Sequence, residues 1–131
     1  MTRDFEQIQF ISDAAIGKIG DELTFPFPEV LKVIDLCRMN EIAVLGVEVF
    51  LVKPDGFYAC GCSDYDLYLN RKWSKVQASD WGEYVRENNE LAERDVRRNP
   101  VGDDHVYVLT TVSWKEFRKI EEFRRRMSQP S

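Results

Sequence analysis

The chain has 131 residues, of which 44% are hydrophobic and 31% charged, and a formal net charge of −5. That length predicts one domain over 1–131, with a core large enough to need no disulfide or metal staple. Met1-Thr2-Arg3-Asp4-Phe5 lacks the apolar core of a signal peptide, no apolar run approaches the length of a bilayer span, and three cysteines make an odd count for a disulfide framework. A cytoplasmic setting is therefore expected. Charge is uneven along the chain. Residues 1–112 carry 12 Lys/Arg against 20 Asp/Glu, a net of −8, while residues 113–131 carry 6 against 3. An acidic body with a basic tail over 124–131 repels nucleic acid and anionic membrane, so neither is an expected partner, and it attracts basic proteins.

Residues 1–27 carry the weakest pattern. Between 5 and 18, Phe5, Ile8, Ile11 and Ala15 fall at helical spacing, whereas Ile8, Phe10 and Ile11 suit an edge strand equally. A short helix closed by Gly17 and Gly20 is preferred, then a loop over 21–27. Pro28 suits the first turn of a helix running to Asn40, with Val30, Leu31, Ile34 and Cys37 on its apolar side and Asn40 as a left-handed C-cap. Ile42–Val52 reads as a strand whose wholly apolar face, Ala43, Leu45, Val47, Val49 and Leu51, is the expected core face. Pro54-Asp55-Gly56 predicts a turn, and Phe57–Cys62 the returning strand. A short strand around Leu67–Leu69 is a weaker expectation. Asp80 with Glu83 predicts a capping box opening a helix to about Arg98, stopped by Asn99-Pro100. Val106–Val112 reads as a strand, and Ser113-Trp114-Lys115-Glu116 as the capping box of a last helix with Phe117, Ile120 and Phe123 on its apolar line. The expected fold is α+β, a mostly antiparallel sheet of three to five strands with about three helices, over 28–40, 80–98 and 113–127, mainly on one face.

Chemical motifs are sparse. Cys60-Gly61-Cys62 with Cys37 and His105 supplies four metal-ligating side chains, but not the two-to-four-residue spacing of a zinc knuckle, so buried free thiols are expected and no metal. His105 has no flanking nucleophile motif and reads as a solvated loop residue. No glycine pattern suits a phosphate, and no cofactor is expected. The basic C-terminal helix reads as macrodipole complementation diluted by Glu116, Glu121 and Glu122. Glu48 is different, because a carboxylate within an apolar strand costs free energy if buried unpaired. Either its face meets solvent or it pairs with a cation such as Arg71, Lys72 or Lys75. Asp64-Tyr65-Asp66-Leu67-Tyr68, followed by Trp73, interleaves acids with aromatics, which suits an anchor surface for a basic protein.

The order of features over residues 28–117 resembles the small predicted immunity proteins encoded beside bacterial polymorphic toxins. Their strand carries a Gly-Gly-Asp-Val-like motif, matched here by Gly46, Val47, Glu48 and Val49. Val47 replaces the second glycine and Glu48 the aspartate, so the charge is kept and the backbone freedom is not. The resemblance implies a cytosolic, non-enzymatic inhibitor that binds and neutralises a cognate toxin; the charge and aromatic pattern makes Glu48, Asp64, Tyr65, Asp66, Tyr68 and Trp73 the expected contact residues. A generic interaction or adaptor domain is the alternative, followed by a small enzyme pairing Glu48 with Asp64 or Asp66 as acid and base.

Overall fold

The structure is a computed structural model that describes residue 5 and residues 8–64 and 76–128. Among the described residues it has four α-helices and five strands in two antiparallel sheets, an α+β fold. The N-terminal part differs from expectation. A short helix α1 (Gln9–Ala14) is followed by strands β1 (Gly17–Ile19) and β2 (Glu22–Thr24), a small hairpin where a loop was expected. Gly20, at φ 60, makes the turn between them, so it reverses the chain instead of ending a helix. The hairpin is tied to the main sheet by Phe25 and Tyr107, whose backbones exchange hydrogen bonds of 2.9 and 2.8 Å.

Helix α2 (Glu29–Met39) begins after Pro28, which occupies the cap position, one place before the expected first turn. Its end also departs from the sequence reading. Asn40 keeps a negative φ of −103 and caps through its side chain, whose Nδ2 donates to Leu36 O at 2.8 Å. The left-handed residue is Glu41, at φ 58. That reversal drops the chain into the central strand.

The main sheet has the order β4-β3-β5, with β3 (Ala43–Lys53) in the centre, β4 (Gly56–Asp64) on one side and β5 (His105–Val112) on the other. The turn at Pro54-Asp55-Gly56 forms as expected, with Gly56 at φ 147. Two bulges change which side chains share a face. One falls between Val44 and Gly46 in the pairing with β5, the other between Val49 and Phe50 in the pairing with β4. The first breaks strict alternation. Val44 therefore joins Val47 and Val49 in one cluster, with α1, α2, Ala92 and Val96 of α3 (Trp81–Arg98), and Tyr107 and Leu109. Ala43 and Leu45, expected on that same face, pack instead in a second cluster with Trp81, Tyr84, Val85, Val112 and Phe117.

Side chain to backbone bonds lock α3 to β3. Asn89 is buried, accepts from Val44 N at 2.8 Å and donates to Ile42 O at 3.0 Å, acting as a substitute neighbour for the start of the strand. Trp81 Nε1 donates to Glu41 O at 2.8 Å. The capping box sits three residues earlier than expected. Gln77 and Asp80 form it around a single 3₁₀ turn (Ala78–Asp80), and Asp80 makes no side-chain cap to α3 itself. The last box is as expected: Glu116 N donates to Ser113 Oγ at 3.2 Å and Ser113 N to Glu116 Oε1 at 2.9 Å, opening α4 (Trp114–Ser128). Apolar burial in α4 is confined to its first turn, although Glu121 further on is half-buried. Phe117 is buried against Trp81 and Tyr84 at ring distances of 5.3 and 5.6 Å, whereas Ile120 and Phe123, expected on the same buried line, are exposed. The basic segment from 124 continues as helix to Ser128. Among the described residues no helix is long and apolar enough to cross a membrane.

Candidate functional site

The β3–β4 hairpin presents two surfaces. Glu48 pairs in register with Cys62 on β4 and Val108 on β5, so it shares with Phe50 and Val52 the face opposite Val47 and Val49. It is half-buried, and its carboxylate has no hydrogen bond or ion pair among the described residues. Val52 and Phe57 face each other directly across the hairpin on this side and are 39% and 45% exposed. Asp64 pairs with Gly46, one step of two residues beyond the Glu48–Cys62 pair, so the exit from β4 leaves beside the carboxylate. Tyr65, Asp66, Tyr68 and Trp73 lie outside the described residues, as do the cations Arg71, Lys72 and Lys75 and the expected strand around Leu67–Leu69.

On the opposite face a groove of about 400 Å³ opens between β4 and the C-terminal half of α3. Val47, Val49, Val96 and Tyr107 give it an apolar floor, and Asp95, Cys60 and His105 are polar groups on its walls. Sequence reasoning did not find this groove. Its walls come from stretches some forty residues apart, and only the packing of α3 across the hairpin brings them together.

The cysteines are not all buried as expected. Cys37 is, and burial pushes its thiol up to about 12, which makes it inert. Cys60 and Cys62 are exposed. Cys60 is the bulged residue without a register partner, and its thiol donates to Tyr58 O at 3.4 Å. His105, expected in a loop, begins β5 and takes a 2.8 Å contact to Asp104. Although Cys60 and His105 line one groove, β3 runs between their strands, and two strand spacings amount to roughly 9–10 Å. The two side chains do not bond to each other: the Cys60 thiol turns to Tyr58 O and His105 Nδ1 to Asp104. Among the described residues no group of three or more His, Cys, Asp or Glu is placed to hold a metal ion.

No family model, curated protein or solved structure matches this chain.

The outer strand β4 bears the most on what the arrangement can do. Every residue from Phe57 to Cys62 is exposed, and none of them is charged. Edge strands of soluble proteins are usually short, charged or covered, because an open row of backbone groups invites another chain. Here the charges stand at the ends, with Lys53 and Asp55 at the turn. Lys53 Nζ lies 5.2 Å from the Tyr58 ring centroid, and Tyr58 Oη donates to Asp55 Oδ2 at 2.6 Å. The result, among the described residues, is an exposed and uncharged outer strand beside a half-buried carboxylate. Such a surface suits a protein partner that brings a cation and apolar side chains.

Proposed function

We propose that this chain is a cytoplasmic immunity-type protein that binds and neutralises a basic toxin domain through the Glu48 face of the hairpin and the acidic segment that leaves it. The observation that carries the reading is Glu48 itself, a half-buried carboxylate without a counter-charge among the described residues, set beside the exposed pair Val52 and Phe57. A partner lysine or arginine would supply a counter-charge where water is partly excluded, and the apolar neighbours would supply contact area. The net of −8 over residues 1–112 would steer such a partner toward the body. Inhibition of this kind needs no turnover, because occupying the toxin is enough. The immunity-protein resemblance, with Glu48 at the acidic position of the motif, agrees with this use of the strand.

The test is protection. Coexpressed with the product of the adjoining open reading frame, the chain is expected to rescue a host that this product kills, and to co-purify with it. Glu48→Lys, and separately the double change Asp64→Lys with Asp66→Lys, should each weaken that complex by about tenfold or more with an unchanged thermal midpoint. Protection that survives both sets of changes would overturn the reading.

A further inference from the structure

Beyond its first turn helix α4 keeps one side near Val76 and Gln77 and turns an apolar stripe outward. Ile120, Phe123 and Met127 are 44%, 63% and 71% exposed. At 100° per residue they fall on one stripe, which continues the line of Phe117 outward and lies well round the helix from Trp114, the two aromatic side chains that face the core. Lys115, Lys119 and Arg126, all exposed, line one flank of that stripe. An apolar stripe edged by cations asks for an apolar surface with acidic surroundings. Pairing with the same helix of another copy does not provide one, since an antiparallel match about Phe123 sets Lys119 against Arg126.

The chain carries the complementary surface elsewhere. The groove between β4 and α3 has an apolar floor, Asp95 in its wall and Asp103-Asp104 leading into it, and no Lys or Arg among its lining residues. Arg94, Arg97 and Arg98 line a different groove, on another side of α3. The helix cannot serve its own groove. It starts at Trp114, beyond the Val112 end of β5, whereas the groove lies toward the His105 end, about 20 Å back along the strand. None of the α4 residues lines it.

We propose that the chain forms a two-fold dimer by reciprocal exchange, the Ile120–Phe123–Met127 stripe of each copy lying in the β4–α3 groove of the other. Reciprocity closes the contact at two copies, where a one-way match would give an open chain. It also doubles the buried surface, and stable association needs roughly 1,200–2,000 Å², more than one three-residue stripe covers. The dimer is independent of the partner taken by the Glu48 face, which lies on the opposite side of the sheet.

The experiment is sedimentation equilibrium of the full chain in reductant, from about 1 to about 200 µM. A monomer–dimer equilibrium is expected, weakening several-fold between about 50 and about 500 mM salt as the flanking charges are screened. Phe123→Glu removes the stripe, and Gly61→Arg blocks the groove. Position 61 faces Val49 in that wall, and an added Cβ there meets nothing within 4 Å, so the change is compatible with folding. Each variant alone should weaken the dimer about tenfold or more. Their equimolar mixture should recover part of the association, weaker than the parent's but tighter than that of either variant alone, through the one contact that stays intact. If Phe123→Glu fails to fold, Met127→Glu makes the same test. A parent that stays monomeric throughout, a dimer indifferent to either variant, or a mixture without recovery would each overturn the exchange.

Discussion

Cys37 shows how one residue's surroundings become a property of the whole chain. Its side chain is fully buried in the first cluster, and desolvation raises the thiol from 9.0 to about 12. Below pH 9 the folded and unfolded chains both hold this proton, and the group adds no pH dependence. Between about 9 and about 12 the unfolded chain releases the proton and the folded chain keeps it, so stability falls as pH rises, by about 1.4 kcal/mol per unit. Burial also raises the Tyr107 phenol, which adds to the same alkaline decline. Urea midpoints measured from pH 7 to 11 should therefore fall more steeply for the parent than for Cys37→Ala, whose loss of volume gives a pH-independent offset. Parallel profiles would show that Cys37 is not the cause. The helical spacing of Val30, Ile34 and Cys37 made this burial readable from the sequence. It did not make Asn88 and Asn89 readable. Both are buried; Asn89 clamps β3, while the Asn88 amide has no partner among the described residues. Adjacent asparagines look alike in a sequence, and only the long-range position of the strand separates them.

At the scale of elements, α4 is two objects in one helix. Its first turn is fixed by the Ser113–Glu116 box and by Phe117 against Trp81, whereas the apolar side chains beyond, Ile120, Phe123 and Met127, are exposed. Truncation after Lys119 should thus cost under about 0.5 kcal/mol in dilute solution, whereas Phe117→Ala should cost about 3–5 kcal/mol. Chemical denaturation of both variants checks the contrast, and comparable losses would mean that the outer turns are structural. The apolar line Phe117, Ile120 and Phe123 was legible as a pattern, but a pattern does not say what covers it. Periodicity failed in a related way at β3. Its apolar run was correctly a strand, yet the bulge beside Leu45 moved Val44 onto the first cluster and Ala43 off it. Bulges have no sequence signature comparable to a turn glycine, because any residue can be the extra one. The hairpin of β1 and β2 was missed because three-residue strands are too short to show alternation.

Across the whole molecule, order should decline outward from β3, which has a strand on both sides, α3 across one face and Asn89 at its start. Amide hydrogen exchange is expected to be slowest over Val44–Val49 and Val106–Leu109, faster in β4, and fastest in α4 beyond Phe117. Protection in outer α4 equal to that of β3, in dilute solution, would contradict this ranking. Fold class was legible because the strongest signals, two apolar strands and the long helix between them in sequence, are also the centre of the structure. Of the proposed site, the sequence singled out Glu48, where one charge breaks an apolar run, and the acid and aromatic segment Asp64–Tyr68 with Trp73, most of which lies outside the described residues; the opposite groove arises from tertiary packing and leaves no local trace. The exposed, uncharged stretch Phe57–Cys62 carries one more consequence. Its two thiols are exposed, on the strand that is outermost among the described residues. In air, copies meeting edge to edge would be riveted together by sulfur, and a reversible association would become a permanent one. Reduced and oxidised solutions of this protein would then hold different assemblies, and only the reduced one would report how the chain associates by shape and charge.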